Sequence, residues 1–508
     1  MPALTQAEPA APPVASARGA ARWWPLALIT LLAAVLRLWN LGSQSLWFDE
    51  AFTAVRTLHP SLSATFSSMV HTENSPFLWY LIEWVDYRLL GSSEFALRLP
   101  SALFGIATVP LAWATARELA GRRAALLAAS LVAVGPLFVW YSQEARVYSL
   151  FAMLGALATL GFVRVLHDRR GATVLLAVGG GLCLASHYFA FFLLAPMAVW
   201  ILVDPRLRRR AWPAVAAFVL VGVALIPLLI AQGGHYTQWI GEWTLSERIL
   251  AIAQYWLLGE SGAPLGHSVE LLVALPFLLG AALWLYRASR RPAQVERREL
   301  DGTLAMLALW GPAVLLPILL ALAGLDYLTP RNLIAAMVPL TVMFAIMLGS
   351  RSTGLPGLAC ALAAVAAMLL VTLDVTVNHR LQRGDWRGLA AGLKANRDSR
   401  AITAVHLGTT PLQYYLGPLR VLPAGSAVRV SEIDSAGYPP LSRDAQSPPA
   451  PGFALVGTVQ AHGLLAYRFR ARTPRVVSEA DLAAHSIMAA KPGEAPEVLI
   501  APGVEVVR

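Results

Sequence analysis

The sequence predicts an all-α polytopic membrane domain followed by a small C-terminal α/β domain, and three observations predict it. Of the 508 residues, 57% are hydrophobic and only 14% are charged, against roughly 25% charged in soluble domains. A soluble core cannot absorb that much apolar surface. Apolar stretches recur at the length of roughly 20 residues that a bilayer core of about 30 Å takes up as helix. Beyond Asp374 the apolar runs shorten to strand length, as in Ala401 to Leu407, Ala454 to Val459 and Leu464 to Phe469, between Gly and Pro turns.

The length rule gives eleven candidate spans, centred on 23–40, 97–116, 123–141, 147–165, 172–187, 189–204, 212–232, 268–287, 303–323, 332–349 and 354–373. The first follows Arg18 and Arg22 and is succeeded by Asn40-Leu41-Gly42 rather than a small-residue cleavage site, so it reads as a retained helix. Three parts follow: a cytoplasmic tail at 1–22, a membrane domain at 23–373 whose first outer loop is 41–96, and an extracytoplasmic domain at 374–508. In the last, Trp386 to Asn396 reads as an amphipathic helix and Ser435 to Pro451 as a loose loop.

The formal net charge is +10, but the basic residues are short clusters between apolar runs rather than a nucleic-acid-binding patch. Alternate loops carry Arg117, Arg122 and Arg123; Arg164, Arg169 and Arg170; Arg206, Arg208, Arg209 and Arg210; Arg287, Arg290, Arg291, Arg297 and Arg298; and Arg351. Intervening loops hold only Arg146, Arg248 or Arg331. By the positive-inside rule the N-terminus is cytoplasmic and the tail is outside. The protein is thus expected in the plasma membrane, in contact with lipid. Cys183 and Cys360 sit in apolar segments and read as packing residues, as do Gly179, Gly180 and Gly181, which lack the Lys and Ser of a phosphate loop.

Four polar constellations fall on the predicted outer face. Asp49 and Glu50 follow the first span within an aromatic setting, Leu46 to Ala51. The second is His71-Thr72-Glu73-Asn74-Ser75-Pro76, followed by an aromatic run, Pro76 to Leu90, suited to an interfacial helix. Tyr141 to Tyr148 contains Glu144 and Arg146, and Asp326 to Asn332 contains Tyr327 and Arg331. Ionisable groups at a membrane boundary are costly and mark functional sites. Each has a plainer reading: Asp49 as a helix cap, Glu144 as the partner of Arg146, the arginines as snorkelling side chains, and His187 as a hydrogen-bonded core residue.

These stretches resemble the GT-C superfamily of membrane glycosyltransferases, in its protein-mannosyltransferase and aminoarabinose-transferase-like branch. The resemblance spans about the first 350 residues and rests on Asp49-Glu50, Glu73 to Tyr80 (ENSPFLWY), Ser92 to Gly105 (SSEFALRLPSALFG) and Ser142 to Leu150 (SQEARVYSL). Where many members carry a second Pro or a Lys, this chain has Asn74-Ser75. In the tail, Asp385-Trp386-Arg387 resembles a stretch found in the outer domains of relatives. The resemblance implies a GT-C fold and a polyprenyl-phosphate sugar as donor, with the first-loop aspartate, Asp49, as catalytic base.

The chemistry asks for the same residue types. A carboxylate takes the proton of an acceptor hydroxyl, and one such group suffices for single-step inversion. Arg146 and Arg331 offer the leaving phosphate a planar bidentate fork. Glu50 is placed beside Asp49 as a second catalytic acid; His71, Glu73, Asn74, Glu144, Tyr148 and Tyr327 complete the expected substrate-binding set. His71, Glu73, Asp49 and Glu50 are also ligand types able to hold a divalent cation, the one cofactor the sequence leaves open, with no metal site assigned. The acceptor, whether protein, lipid or glycan, is not specified by the sequence. The rival function is a transporter or flippase of a lipid-linked sugar, which would show inverted repeats or broken helices carrying charge at mid-membrane.

Overall fold

A computed structural model describes residues 23–233, 238–290, 293, 295–394, 399–485, 487–488 and 496–507. The expected N-terminal tail 1–22, with Arg18 and Arg22, lies outside the described residues, as do Arg291 and Asn396.

Every expected span is helical. They are α1 (Trp24–Leu38), α5 (Glu94–Ala120), α6 (Arg122–Val134) with α7 (Pro136–Ser142), α8 (Tyr148–Leu166), α9 (Ala172–Ser186), α10 (Ala190–Val203), α11 (Pro205–Gln232), α13 (His267–Arg290), α14 (Arg297–Leu322), α15 (Ile334–Gly349) and α16 (Gly354–Val377). Among the described residues, seven helices are individually long and apolar enough to cross a membrane, while α1, α9 and α10 are shorter apolar helices. The protein is therefore a multi-pass membrane protein. Shorter helices fill the loops: α2 (Phe48–Phe52), α3 (Leu62–Thr72) and α4 (Leu78–Leu90) in the first, and α12 (Leu245–Leu258) between α11 and α13. The amphipathic α4 buries Trp79, Tyr80, Glu83 and Asp86 and leaves Val85, Leu89 and Leu90 exposed.

The segment expected as one span at 123–141 is instead two helices bent by 52° at Gly135. The cause is local. Pro136 has no N–H for the carbonyl of Val132, and a carbonyl left bare in a membrane interior is costly. Arg37 of α1 covers the gap: Nη2 donates to Val132 O and Nη1 to Ala133 O, both at 2.9 Å, while Thr372 Oγ1 of α16 donates to Val134 O at 2.7 Å. Arg37 Nε also donates to Ser142 Oγ at 3.1 Å. Room for this comes from Gly105, where a Cβ would lie 1.9 Å from Ser142 Oγ. The glycines of α9 serve close packing: a Cβ on Gly180 would lie 2.1 Å from the ring of Phe218.

The tail forms a seven-stranded mixed sheet in the order β2-β6-β1-β3-β5-β4, with β7 on β3. Its strands are β1 (Arg400–Ala404), β2 (Arg420–Val421), β3 (Ala427–Gly437), β4 (Ala454–Ala461), β5 (Leu464–Ser478), β6 (Glu497–Ile500) and β7 (Val506–Val507). Helices α17 (Trp386–Leu393), α18 (Thr409–Leu416) and α19 (Glu479–Ala484) accompany it. In α17, Trp386, Leu389, Ala390 and Leu393 make the buried stripe of an amphipathic helix. Ser435 to Gly437, read as the start of a loose loop, closes β3 instead, because Ser435 pairs with Thr403 of β1 and Tyr467 of β5.

The tail and the loop 41–96 meet at one end of the helix bundle. Ser45 Oγ donates to Gly384 O at 3.0 Å, and Leu46 N–H donates to Tyr415 Oη at 2.7 Å. Arg387 donates to Ser43 O and pairs with Glu94 at 3.1 Å.

Candidate active site

Asp49 and Glu50 are neighbours on α2, and the structure sends them to different environments. Asp49 is partly exposed, and its Oδ2 accepts a hydrogen bond from Arg331 Nη1 at 3.1 Å. Glu50 is 1% exposed. Arg98 Nε and Nη2 approach its two oxygens at 2.7 Å each, Ala145 N–H donates at 2.8 Å and Arg383 Nη1 at 3.1 Å. Burial alone would raise the Glu50 pKa, but Arg98 and Arg383 hold it below the ordinary glutamate range. So saturated, Glu50 anchors α2 and sits in a different environment from Asp49, beside which the sequence placed it as a second catalytic acid.

Arg146 pairs with Glu73, not with Glu144 as the sequence led us to expect. Its Nη1 donates to Glu73 Oε2 at 3.2 Å, to Thr53 Oγ1 at 2.8 Å and to Asp49 O at 3.4 Å. Thr53 and Thr57 hydroxyls also donate to Glu73 Oε1, at 3.1 and 3.0 Å. Arg146 therefore stitches the Glu73 end of α3 to the Asp49 turn. Glu144 is paired instead with Arg383. Burial, eased by the Arg383 charge, still pushes the Glu144 carboxyl up to about 8.

Arg331 reaches Asp49 because its loop is pinned from behind. Arg248 of α12 forks onto Asp326, at 2.7 and 2.5 Å, and donates to Leu328 O at 2.8 Å. Those hydrogen bonds hold the Asp326 carboxyl below its usual range. The Arg331 guanidinium lies 5.1 Å from the ring centre of Trp239, 5.5 Å from Tyr148 and 6.0 Å from Trp47. Tyr148 is thus brought into the site. Its ring packs on Tyr141, whose hydroxyl donates to Glu260 at 2.7 Å.

Three expected residues lie differently. His71 is exposed, with Nδ1 within 2.8 Å of the Ser67 carbonyl on its own helix. Tyr327 is exposed, and Asn74 is half-buried in the turn after Glu73. The four groups considered for a divalent cation do not assemble, because Glu50 and Glu73 are engaged by arginines and His71 by its helix. Among the described residues no cluster of three His, Cys, Asp or Glu side chains could hold a metal. His187 is buried, stacked on Phe151 at 4.7 Å, and accepts from Phe189 N–H at Nδ1, as expected of a core histidine.

Sequence reading missed Arg98, Arg383 and Glu260. Arg98 lies inside the expected span 97–116, but α5 starts earlier, at Glu94. Arg383 comes from the segment before Asp385-Trp386-Arg387, the tail stretch already noted, so proximity to that stretch was its one available signal.

Residues 73–230 match the family model described as dolichyl-phosphate-mannose-protein mannosyltransferase. The chain matches no curated protein. Among solved structures it is similar to ArnT from Cupriavidus metallidurans bound to undecaprenyl phosphate, at 14% identity and a TM-score of 0.56, covering 88% of this chain and 98% of that one. It is also similar to the Archaeoglobus fulgidus oligosaccharyltransferase in complex with zinc and sulfate, at 16% identity and a TM-score of 0.47, covering 77% and 57%. The likeness to ArnT shows a shared fold, the GT-C fold that the sequence led us to expect.

Proposed function

We propose that the protein transfers a sugar from a polyprenyl-phosphate donor to an acceptor hydroxyl on the extracytoplasmic side, with Asp49 as general base and Arg331 as phosphate clamp. The observation that carries this reading is the convergence of Asp49, Glu73, Arg146 and Arg331 from three separate chain segments. The ArnT relative was solved with a polyprenyl phosphate bound, which supports the donor class. A guanidinium has five N–H donors, and among the described residues Arg331 spends one of them in a hydrogen bond. The rest are available to phosphate oxygens.

In the reaction, the acceptor oxygen bonds to the anomeric carbon as the bond from that carbon to the phosphate oxygen breaks. The acceptor proton passes to Asp49. Polyprenyl phosphate leaves with the bonding electron pair, and its charge is met by Arg331. One displacement inverts the anomeric centre. The test is incubation of the purified protein with a panel of labelled polyprenyl-phosphate sugars, scoring release of polyprenyl phosphate. Release with at least one sugar, lost in Asp49→Asn, is expected. Movement of intact donor across vesicle bilayers with no cleavage would overturn the reading in favour of a flippase.

A further inference from the structure

The tail reaches the site through one side chain. Arg383, just beyond the short turn His379–Leu381 that follows α16, places Nη1 3.1 Å from Glu50 Oε2 and Nη2 against Glu144 Oε2. Its guanidinium lies 4.4 Å from the ring centre of Trp140 and 5.3 Å from that of Trp47. Its N–H donates to Gln44 Oε1 at 3.3 Å. Three of these partners adjoin the reacting groups: Glu50 follows Asp49, Glu144 is two residues before Arg146, and Trp47 also lies under Arg331. Ala145 N–H, donating to Glu50 Oε1 at 2.8 Å, closes the same circuit from the other side.

We propose that Arg383 is a positioning residue of the site, tying the segment that carries Asp49 to the segment that carries Arg146. Glu50 and Glu144 come from different segments, and once both are ionised they repel each other unless a cation lies between them. Among the described residues Arg98 pairs with no carboxylate other than Glu50, whereas Arg383 pairs with both, so Arg383 is the cation that joins the pair. The planar fork suits this task because it gives separate N–H groups to two acceptors while stacking on aromatic faces. The tail thereby becomes part of the machinery, since its first segment completes the first outer loop.

The pairing is charge-dependent in a definite way. Glu144 faces Arg383 from the tail, Glu50 from α2, Glu260 from the loop after α12 and Arg331 from before α15, with Tyr141, Tyr148 and Tyr255 around it. Without Arg383, a rise in pH through the range where Glu144 ionises leaves a charge buried beside Glu50. Loosening caused by loss of Arg383 therefore grows with pH, whereas loss of mere packing does not.

The catalytic part of the inference rests on the proposed transfer reaction, so the primary readout is independent of it. Full-length wild type, Arg383→Gln, Arg383→Lys and Arg383→Gln/Glu144→Gln are compared by amide hydrogen exchange at pH 7 and 9, expressed as protection factors. In Arg383→Gln, protection of residues 44–53 and 143–147 is expected to fall about tenfold or more, with α5 and the tail sheet unchanged. The fall is larger at pH 9, and Glu144→Gln removes that excess. Where donor turnover is measurable, kcat falls about 10- to 100-fold, as for a misplaced reacting group, with donor KM within about twofold. Arg383→Lys, which keeps the charge but not the fork, gives a smaller loss in the same two segments, and it decides the matter if the Gln variant does not fold. The proposal is overturned if protection falls only at residues 379–393, if it falls uniformly along the chain, or if the Lys variant matches wild type at both pH values. A wild type inactive on every donor counts against the transfer reaction and leaves the exchange result standing.

Discussion

Arg331 Nη1 donates to Asp49 Oδ2 across 3.1 Å, although 282 residues of chain separate them. The proposed clamp and the proposed base thus begin as each other's partners. Arrival of the donor phosphate competes with Asp49 for the guanidinium and leaves the carboxylate facing the acceptor. Asp49→Asn should therefore do two things at once. Turnover should fall about 100- to 10,000-fold, as for loss of a general base, while donor affinity rises, because an anion leaves the phosphate site. Equilibrium binding of a labelled donor checks the second effect; weaker binding in Asp49→Asn would count against competition.

The two site arginines should respond differently to lysine. Arg331 keeps N–H donors available among the described residues, whereas Arg146 Nη1 is committed to Glu73, Thr53 and the Asp49 carbonyl. Arg331→Lys is expected to weaken donor binding by about tenfold, the loss of one charge-assisted hydrogen bond of about 1.5 kcal/mol. Arg146→Lys is expected to lower turnover with donor affinity nearly unchanged. Titration of both variants with polyprenyl phosphate decides, and the reverse pattern would move the clamp to Arg146.

Glu50 is expected to matter for folding. Removing one partner of a buried ion pair typically costs about 3–5 kcal/mol, here because Arg98, at 1% exposure, would keep its charge with only the carbonyls of Leu41, Gln44 and Ser45 to meet it. Glu50→Ala should lower the unfolding temperature in detergent markedly and reduce the yield of monodisperse protein. A stable Glu50→Ala protein with collapsed turnover would restore Glu50 to the reacting groups.

Orientation is tested by cysteine labelling in intact cells with a membrane-impermeant reagent. Ser43 in the first outer loop and Ser447 in the tail are both exposed, and the loop and tail meet at one end of the bundle. Ser43→Cys and Ser447→Cys should both label, and Ser289→Cys at the opposite end of α13 should not. Labelling of only one of the first two would break the shared-side arrangement.

The membrane helices were legible because a bilayer imposes one length and one polarity on every segment that crosses it. The bend at Gly135 was harder to read, because Pro136 shows where a helix bond is lost but not that Arg37, about a hundred residues earlier, would repair it. Asp49, Glu73, Arg146 and Arg331 could be picked as costly charges in outer loops, yet their partners could not. The nearest acid, Glu144, looked like the mate of Arg146, and three-dimensional proximity gave that place to Glu73. Arg383 and Arg98 join Glu50 across 333 and 48 residues, distances at which no periodicity reports contact. The helix α12 was signalled and passed over: Thr244 and Glu247 form a capping box, the spacing that marks a helix start.

Arg37 also bears on how the chain is made. Its own helix supplies one carbonyl, that of Ala33 at 3.2 Å, while its other acceptors lie 95, 96 and 105 residues further along. At about 5–20 residues synthesised per second, α1 waits on the order of 5–20 s with a guanidinium unsatisfied in or beside the lipid. Only when α6 and α7 emerge can it settle. A chain truncated before Val132 should therefore keep α1 loosely held and open to quality-control proteases, and one truncated after Ser149 should not, which makes the bend at Gly135 a checkpoint in biogenesis.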